Sequence, residues 1–435
     1  MVEKIATVEY AQHLGGIASA FGPEALSEED LQKFYSDDTM PTRMGDNYVS
    51  PMNDIYNSCM QPRRQNAHLL LGHRGCGKST ELNVLKQKLE ESGHQVSVIQ
   101  CNLEADLNGM AYWDLLILLG KHLCKIAKKS GCVLPTPLLE NIVRFWNEEE
   151  VTDTTKKGVK AKVSVGTPKI LSDLFPVFLN LSAELKYGYN KKTEIRNKLK
   201  QSSTVWIGYM EEISGHIRQH LKGKQPIIIF EDLDKLSPEK AWDTFDNGLS
   251  KMPFPVIYTF PISLSYDPRF TALRASFNVE ILPMIKIRKP DCEPFTTGID
   301  TIKVIVKKRA NFSLFDEGAL TLLINKTGGI LRDLFKCIMK AANRAENRSA
   351  IRIEQEDAQS ALNELGSSLT RQIERKHHDL LEKIYRGGKY KHQIEDKAML
   401  LEMMQGHIVL EYNGDRWHDL HPLVEDFLKK HGELE

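Results

Sequence analysis

Apolar positions fall into two patterns along the chain. Short runs at 67–71, 95–100, 226–230, 255–260 and 278–282 are rich in Leu, Ile, Val and Phe, and turn residues flank them. Such runs predict strands of a buried sheet. Longer stretches with helical spacing predict helices over 79–91, 110–129 and 191–221, and several more between 298 and 369. A strand at 67–71, a helix at 79–91 and a strand at 95–100 make a βαβ unit, which implies a parallel sheet. Toward the end of the chain, segments 407–412 and 416–420 flank Asn413-Gly414-Asp415, a strong hairpin cue.

These elements divide the 435 residues into a lead-in over 1–65, a sheet domain over 66–290, helices over 291–370, and a small winged-helix unit over 371–435. The sheet domain carries an insertion at about 130–200, whose polar, Lys- and Gly-rich stretch at 151–171 reads as an exposed hairpin or arm. The predicted fold class is α/β: a parallel sheet flanked by helices, followed by a helical region and the winged helix.

Charge and cysteine content narrow the chemistry. Lys plus Arg and Asp plus Glu are 58 each, so any contact with nucleic acid must be local. The seven cysteines are scattered and never form a C-x-x-C pair, which disfavours zinc or a disulfide framework and points to a reducing cytoplasm. No apolar run reaches the length of about 18 residues needed to span a bilayer, and no signal peptide is visible at the N-terminus.

The chemistry lies first in Gly72-His73-Arg74-Gly75-Cys76-Gly77-Lys78-Ser79, which matches G-x-x-x-x-G-K-[ST] without a mismatch and is followed by Thr80. Glycines let the backbone turn so that amides face phosphate oxygens, Lys78 reaches the β- and γ-phosphates, and the Ser79 hydroxyl holds Mg²⁺. ATP and Mg²⁺ are therefore the expected cofactors. The run 226–230 ends in Glu231-Asp232-Leu233-Asp234. Adjacent acids at the carboxyl end of a sheet strand can hold the metal and orient a water, Glu231 and Asp232 respectively, although the roles can be exchanged. Asp234 reads as a helix cap.

With Gly328-Gly329-x-x-Arg332 these motifs resemble the AAA+ superfamily, nearest the origin-recognition/Cdc6-type clade and the STAND signalling ATPases. The Gly-x-Pro usual in STAND proteins is missing here. The segment from Leu410 to Val424 also resembles the C-terminus of a broad group of bacterial ATPases. The resemblance implies that Arg332 senses the γ-phosphate from the lid, that Thr259 or Ser263 is the first sensor, and that Arg269 or Arg274 could be an arginine finger between subunits. It further implies a nucleotide-driven switch that assembles with itself or an effector, in bacterial or antiviral defence or in signalling. A DNA-remodelling ATPase is the alternative, with Lys191, Lys192, Arg196, Lys198 and Lys200 as phosphate contacts; a small-molecule P-loop kinase comes third.

Overall fold

The computed structural model describes residues 8–37, 39–44, 50–61, 66–147, 190–245, 247–412 and 416–434. The arm at 151–171, Tyr187, Tyr189, the side chain of Lys191 and the turn at 413–415 lie outside the described residues.

Strands β1 (Ala67–Gly72), β2 (Gln95–Gln100), β3 (Pro226–Glu231), β4 (Val256–Pro261) and β5 (Asn278–Ile281) form one parallel sheet in the order β2-β3-β4-β1-β5. Every residue of β1, β3 and β4 is buried, as interior strands covered on both faces require. The edge strands β2 and β5 retain partly exposed positions. Parallel pairing puts all carboxyl ends at one edge. There β4 separates β1, which leads into the glycine loop, from β3, which carries the acids.

Helices cover the sheet. Lys78–Glu91 links β1 to β2, and Tyr112–Ser130 packs on β2 and β3 with Asn190–His220 against it. Trp206 of the long helix is fully buried, and its indole N–H donates to Leu116 O at 2.9 Å. Gly120 makes this approach possible, because a Cβ there would stand 2.3 Å from the Trp206 ring. The helix Thr136–Asn147 lies within the stretch read from sequence as an insertion.

The described residues before 66 pack into the rest of the chain. Ala11 exchanges backbone hydrogen bonds with Arg309 and Asn311, and Ile17 and Phe21 enter the core of the helices that follow the sheet. Met52, Ile55 and Cys59 pack with sheet residues Leu70, Ile229 and Ile257. Beyond the sheet come Thr296–Arg309, Glu317–Lys326, Leu331–Asn347 and Gln355–Thr370, then short helices including His378–Arg386 and Lys397–Gln405. The antiparallel pair β6 (Val409–Tyr412) and β7 (Trp417–Leu420) follows, and the helix Pro422–Lys430 closes against Gln355–Thr370. The α/β class read from the sequence is therefore present: a P-loop sheet flanked by helices, a helical region, and a small unit of helices and a hairpin.

The hairpin strands are buried along their whole length. Leu410, Tyr412 and Trp417 share an apolar cluster with Cys76 of the glycine loop and Ile330, while Val409 and Leu420 join the sheet's other core. All seven cysteines are free, and only Cys292 is exposed. No helix of the described residues is long and apolar enough to cross a membrane.

Candidate functional site

The loop between β1 and the helix Lys78–Glu91 is shaped by its glycines. Gly75 and Gly77 have φ of +83° and +105°, a region that disfavours side chains. A Cβ at Gly75 would lie 2.7 Å from Arg332 Cβ, so this position also admits a close neighbour. Arg332 N–H donates to Gly75 O at 3.2 Å, which seats the start of the helix Leu331–Asn347 directly on the loop. The Arg332 guanidinium has no hydrogen-bonded or ion-paired partner among the described residues. Sequence separates Arg332 from the loop by more than two hundred residues, and the fold brings them together.

Lys78 is buried and curls back into the loop. Its ammonium donates to Gly72 O at 2.8 Å and His73 O at 3.0 Å, and pairs with Asp234 Oδ2 at 2.8 Å. Burial opposes ionisation of Asp234, but Lys78 outweighs it and holds the carboxyl below its ordinary range. Arg74 donates from Nε to Asp234 O at 3.2 Å. Asp234 is thus the principal counter-charge of the loop, a role that the reading as a cap missed.

Ser79 lies near enough to Glu231 to favour its ionised form, and Oε1 of Glu231 is buried with no partner among the described residues. Burial, with Asp232 beside it, raises the Glu231 carboxyl to about 7. A hydroxyl and a buried, unpartnered carboxylate oxygen beside the phosphate loop fit a divalent cation such as Mg²⁺. Asp232 has φ of +69° and is ion-paired to Lys235. Thr259 fixes this segment from β4: its hydroxyl donates to Phe230 O at 3.2 Å and accepts from Leu233 N–H at 3.1 Å. Ser263 is buried in the turn after β4.

The raised carboxyl has a measurable consequence for stability. The folded state holds the Glu231 proton up to about 7, whereas the ordinary value is 4.5. The resulting contribution is present below the lower value and lost as pH rises through the upper one. Without nucleotide or metal, Glu231→Gln should exceed wild type in stability at pH 8 by at most about 3 kcal/mol. Urea unfolding at pH 8 and pH 5 checks this, and an equal difference at both pH values would exclude the carboxyl as its source.

Three further elements reach the loop. Arg43 is buried and donates to Pro283 O and, at 3.0 Å, to Cys76 O. Tyr35 donates to Glu81 Oε2 at 2.9 Å on the loop helix. His73 accepts a 2.9 Å hydrogen bond on Nε2 from Glu411 N–H of β6. Burial, with His407 and Lys78 nearby, pushes His73 far below its ordinary value and keeps it neutral. Tyr412 donates to Gly328 O at 2.9 Å, and the Tyr266 hydroxyl lies 2.6 Å from Glu411 Oε2. The hairpin is therefore clamped between the loop and the Gly328-Gly329 turn. No local sequence signal marks Arg43 or the His73 contact.

The basic cluster at 191–200 is largely engaged. Arg196 grips Asp114, with Nε to Oδ1 at 2.9 Å, and also donates to Gly109 O. Lys192 lies 4.0 Å from Asp114, and Lys198 lies over the Phe145 ring. Lys200 is exposed. As for the finger candidates, Arg269 pairs with Asp267 and covers Trp242, whereas Arg274 is exposed without a partner among the described residues.

No protein-family model matches the chain, and no curated protein matches it. Among solved structures it is similar to the ORC2 protein of Aeropyrum pernix in ADPNP-ADP complexes, at 10% identity and TM-score 0.41, over 90% of this chain and 98% of that one. The Walker-type ATPase paby2304 of Pyrococcus abyssi aligns at 13% identity and TM-score 0.43, over 88% and 99%. The Thermotoga maritima RuvB Holliday junction branch migration motor aligns at 12% and 0.34, over 88% and 94%. Likenesses this distant bear on neither activity nor partners.

Proposed function

We propose that this chain binds ATP with Mg²⁺ in the loop 72–79, hydrolyses it, and uses the two nucleotide states to switch its conformation or assembly. The observation that carries this reading is the convergence on one loop of Lys78, the Ser79–Glu231 pair and Arg332, contributed by separate parts of the fold. Loop amides and Lys78 would hold the phosphates. Ser79 and Glu231 would hold the metal, which when bound offsets charge on the transferred phosphoryl group. Asp232 would orient the attacking water after exchanging its contact with Lys235, and Thr259 keeps the acidic segment in place.

Arg332 projects from the helical region, so its contact with a terminal phosphate would make the seating of that region depend on nucleotide state. Assembly with further copies or with an effector gives such a switch its output, and Arg274 is the arginine left to act across an interface. A role in bacterial defence or signalling belongs to this proposal through the sequence resemblance. The DNA-remodelling alternative is weakened because Arg196 and Lys192 already serve Asp114.

Purified protein should hydrolyse ATP only with a divalent cation. Asp232→Asn should retain ATP affinity and lose about a hundredfold or more in turnover, the usual scale for a positioned base. Normal turnover in Asp232→Asn together with inactivity in Glu231→Gln would exchange the two roles. Activity in both variants would remove the acidic strand end from the reaction.

A further inference from the structure

A second basic cavity lies at the opposite edge of the sheet, where β2 and β3 begin. Its volume is about 350 Å³, and Arg218, Lys222 and Lys224 line it with Met60, His94 and Gln225. No carboxylate lines this cavity. None of the three cations has a side-chain hydrogen bond or ion pair among the described residues. They sit on a stiff turn: Lys222 and Gly223 have φ of +53° and +93°, and Gly223 N–H donates to Arg218 O at 2.8 Å.

Cations at the end of the helix Asn190–His220 would by themselves only complement its dipole. His94 adds an independent observation. Its side chain is buried, with the residue 3% exposed, and Nδ1 accepts from Gln225 N–H at 3.1 Å. The neutral ring therefore carries its proton on Nε2. That nitrogen has no partner among the described residues, and the ring forms part of the cavity wall. An unpartnered donor on a cavity that three unpaired cations also line suits acceptor oxygens bearing more than one negative charge.

We infer that this cavity is a binding site for a compact polyanion, a di- or triphosphate or its ester, separate from the phosphate loop. Its cationic side chains and the His94 ring share the wall with apolar surface that includes Met60, and its volume admits a pyrophosphate-sized group. Three cations around one small space match several charges concentrated on one ligand better than one phosphate per residue along a strand.

The test uses inorganic pyrophosphate and calorimetry in Lys78→Ala/Asp234→Asn protein, which lacks the loop's cation together with its buried counter-charge. One saturable pyrophosphate site should remain, weakening with added salt. Adding Arg218→Gln, Lys222→Gln and Lys224→Gln should lower its affinity at least tenfold, while the same three changes in otherwise wild-type protein leave ATP hydrolysis intact. His94→Phe keeps the ring volume and should weaken pyrophosphate severalfold. In wild type, the His94 Nε2 resonance should shift on titration. Absence of a saturable site in the double variant, or an unchanged affinity after the three glutamine substitutions, overturns the inference. So does binding of a single-stranded oligonucleotide without pyrophosphate binding, which would make the region a strand-tracking surface. ADP arms separate an ester from the free anion: ADP competing with pyrophosphate for this site supports the ester form, and pyrophosphate binding alone supports the free anion.

Discussion

Lys78→Ala should lose ATP affinity by about a hundredfold or more and should also destabilise the protein. The two effects have different origins. Affinity falls because the phosphates lose a charge-assisted donor, a contact worth about 1.5–3 kcal/mol, together with the positive field of the loop. Stability falls because Lys78 lies 2.8 Å from Asp234, and both side chains are at most 10% exposed. Breaking a buried pair by removing one partner costs about 3–5 kcal/mol, since the remaining charge is left uncompensated. Lys78→Ala/Asp234→Asn should therefore recover much of the lost stability and none of the lost affinity. Urea midpoints and ATP calorimetry on the wild type, single and double variants separate the two. A double variant that binds ATP as wild type does would show that phosphate is held elsewhere. A single variant with undiminished stability would show that the buried pair is energetically neutral.

Arg332→Ala should leave ATP binding close to wild type and reduce turnover by about a thousandfold, the lower part of the range for an arginine that stabilises transferred phosphate charge. The substitution keeps the backbone N–H that donates to Gly75 O, so the helical region keeps its seat and only the guanidinium is lost. Gly75→Ala provides the contrast, because its new Cβ would meet Arg332 Cβ at 2.7 Å on a backbone with φ of +83°. That variant should lift the helical region while retaining the arginine. Sedimentation and small-angle scattering with ADP and with a non-hydrolysable ATP analogue should show a nucleotide-dependent change in wild type and none in Arg332→Ala. A normal response and normal turnover in Arg332→Ala would reduce this residue to a surface arginine, leaving Arg269 and Arg274 to be tested.

The five strands were legible because each is a short run rich in apolar residues with turn residues at its flanks, and the glycine loop because its chemistry is local. Gly328-Gly329-x-x-Arg332 was legible as a motif, although its seat on Gly75 follows only from the way the helical region closes over the sheet. Elsewhere the deciding contacts are long-range. Nothing near Asp234 says that it faces Lys78, since that depends on β4 lying between β1 and β3. The basic run at 191–200 invited a reading as a phosphate surface, yet its register on the helix Tyr112–Ser130 turns Arg196 toward Asp114. Arg43 reaches Pro283 across 240 positions. The cavity beside His94 joins a helix end to the start of two strands, and no linear spacing encodes that.

The bond from Glu411 N–H to His73 spans 338 positions and ties nearly the last strand of the chain to the first functional loop. During synthesis from the N-terminus, the loop, its helix and all five sheet strands emerge long before the hairpin that packs against Cys76. The contact between loop and hairpin therefore forms only after all five sheet strands have been made, and a chain cut short before Glu411 lacks it.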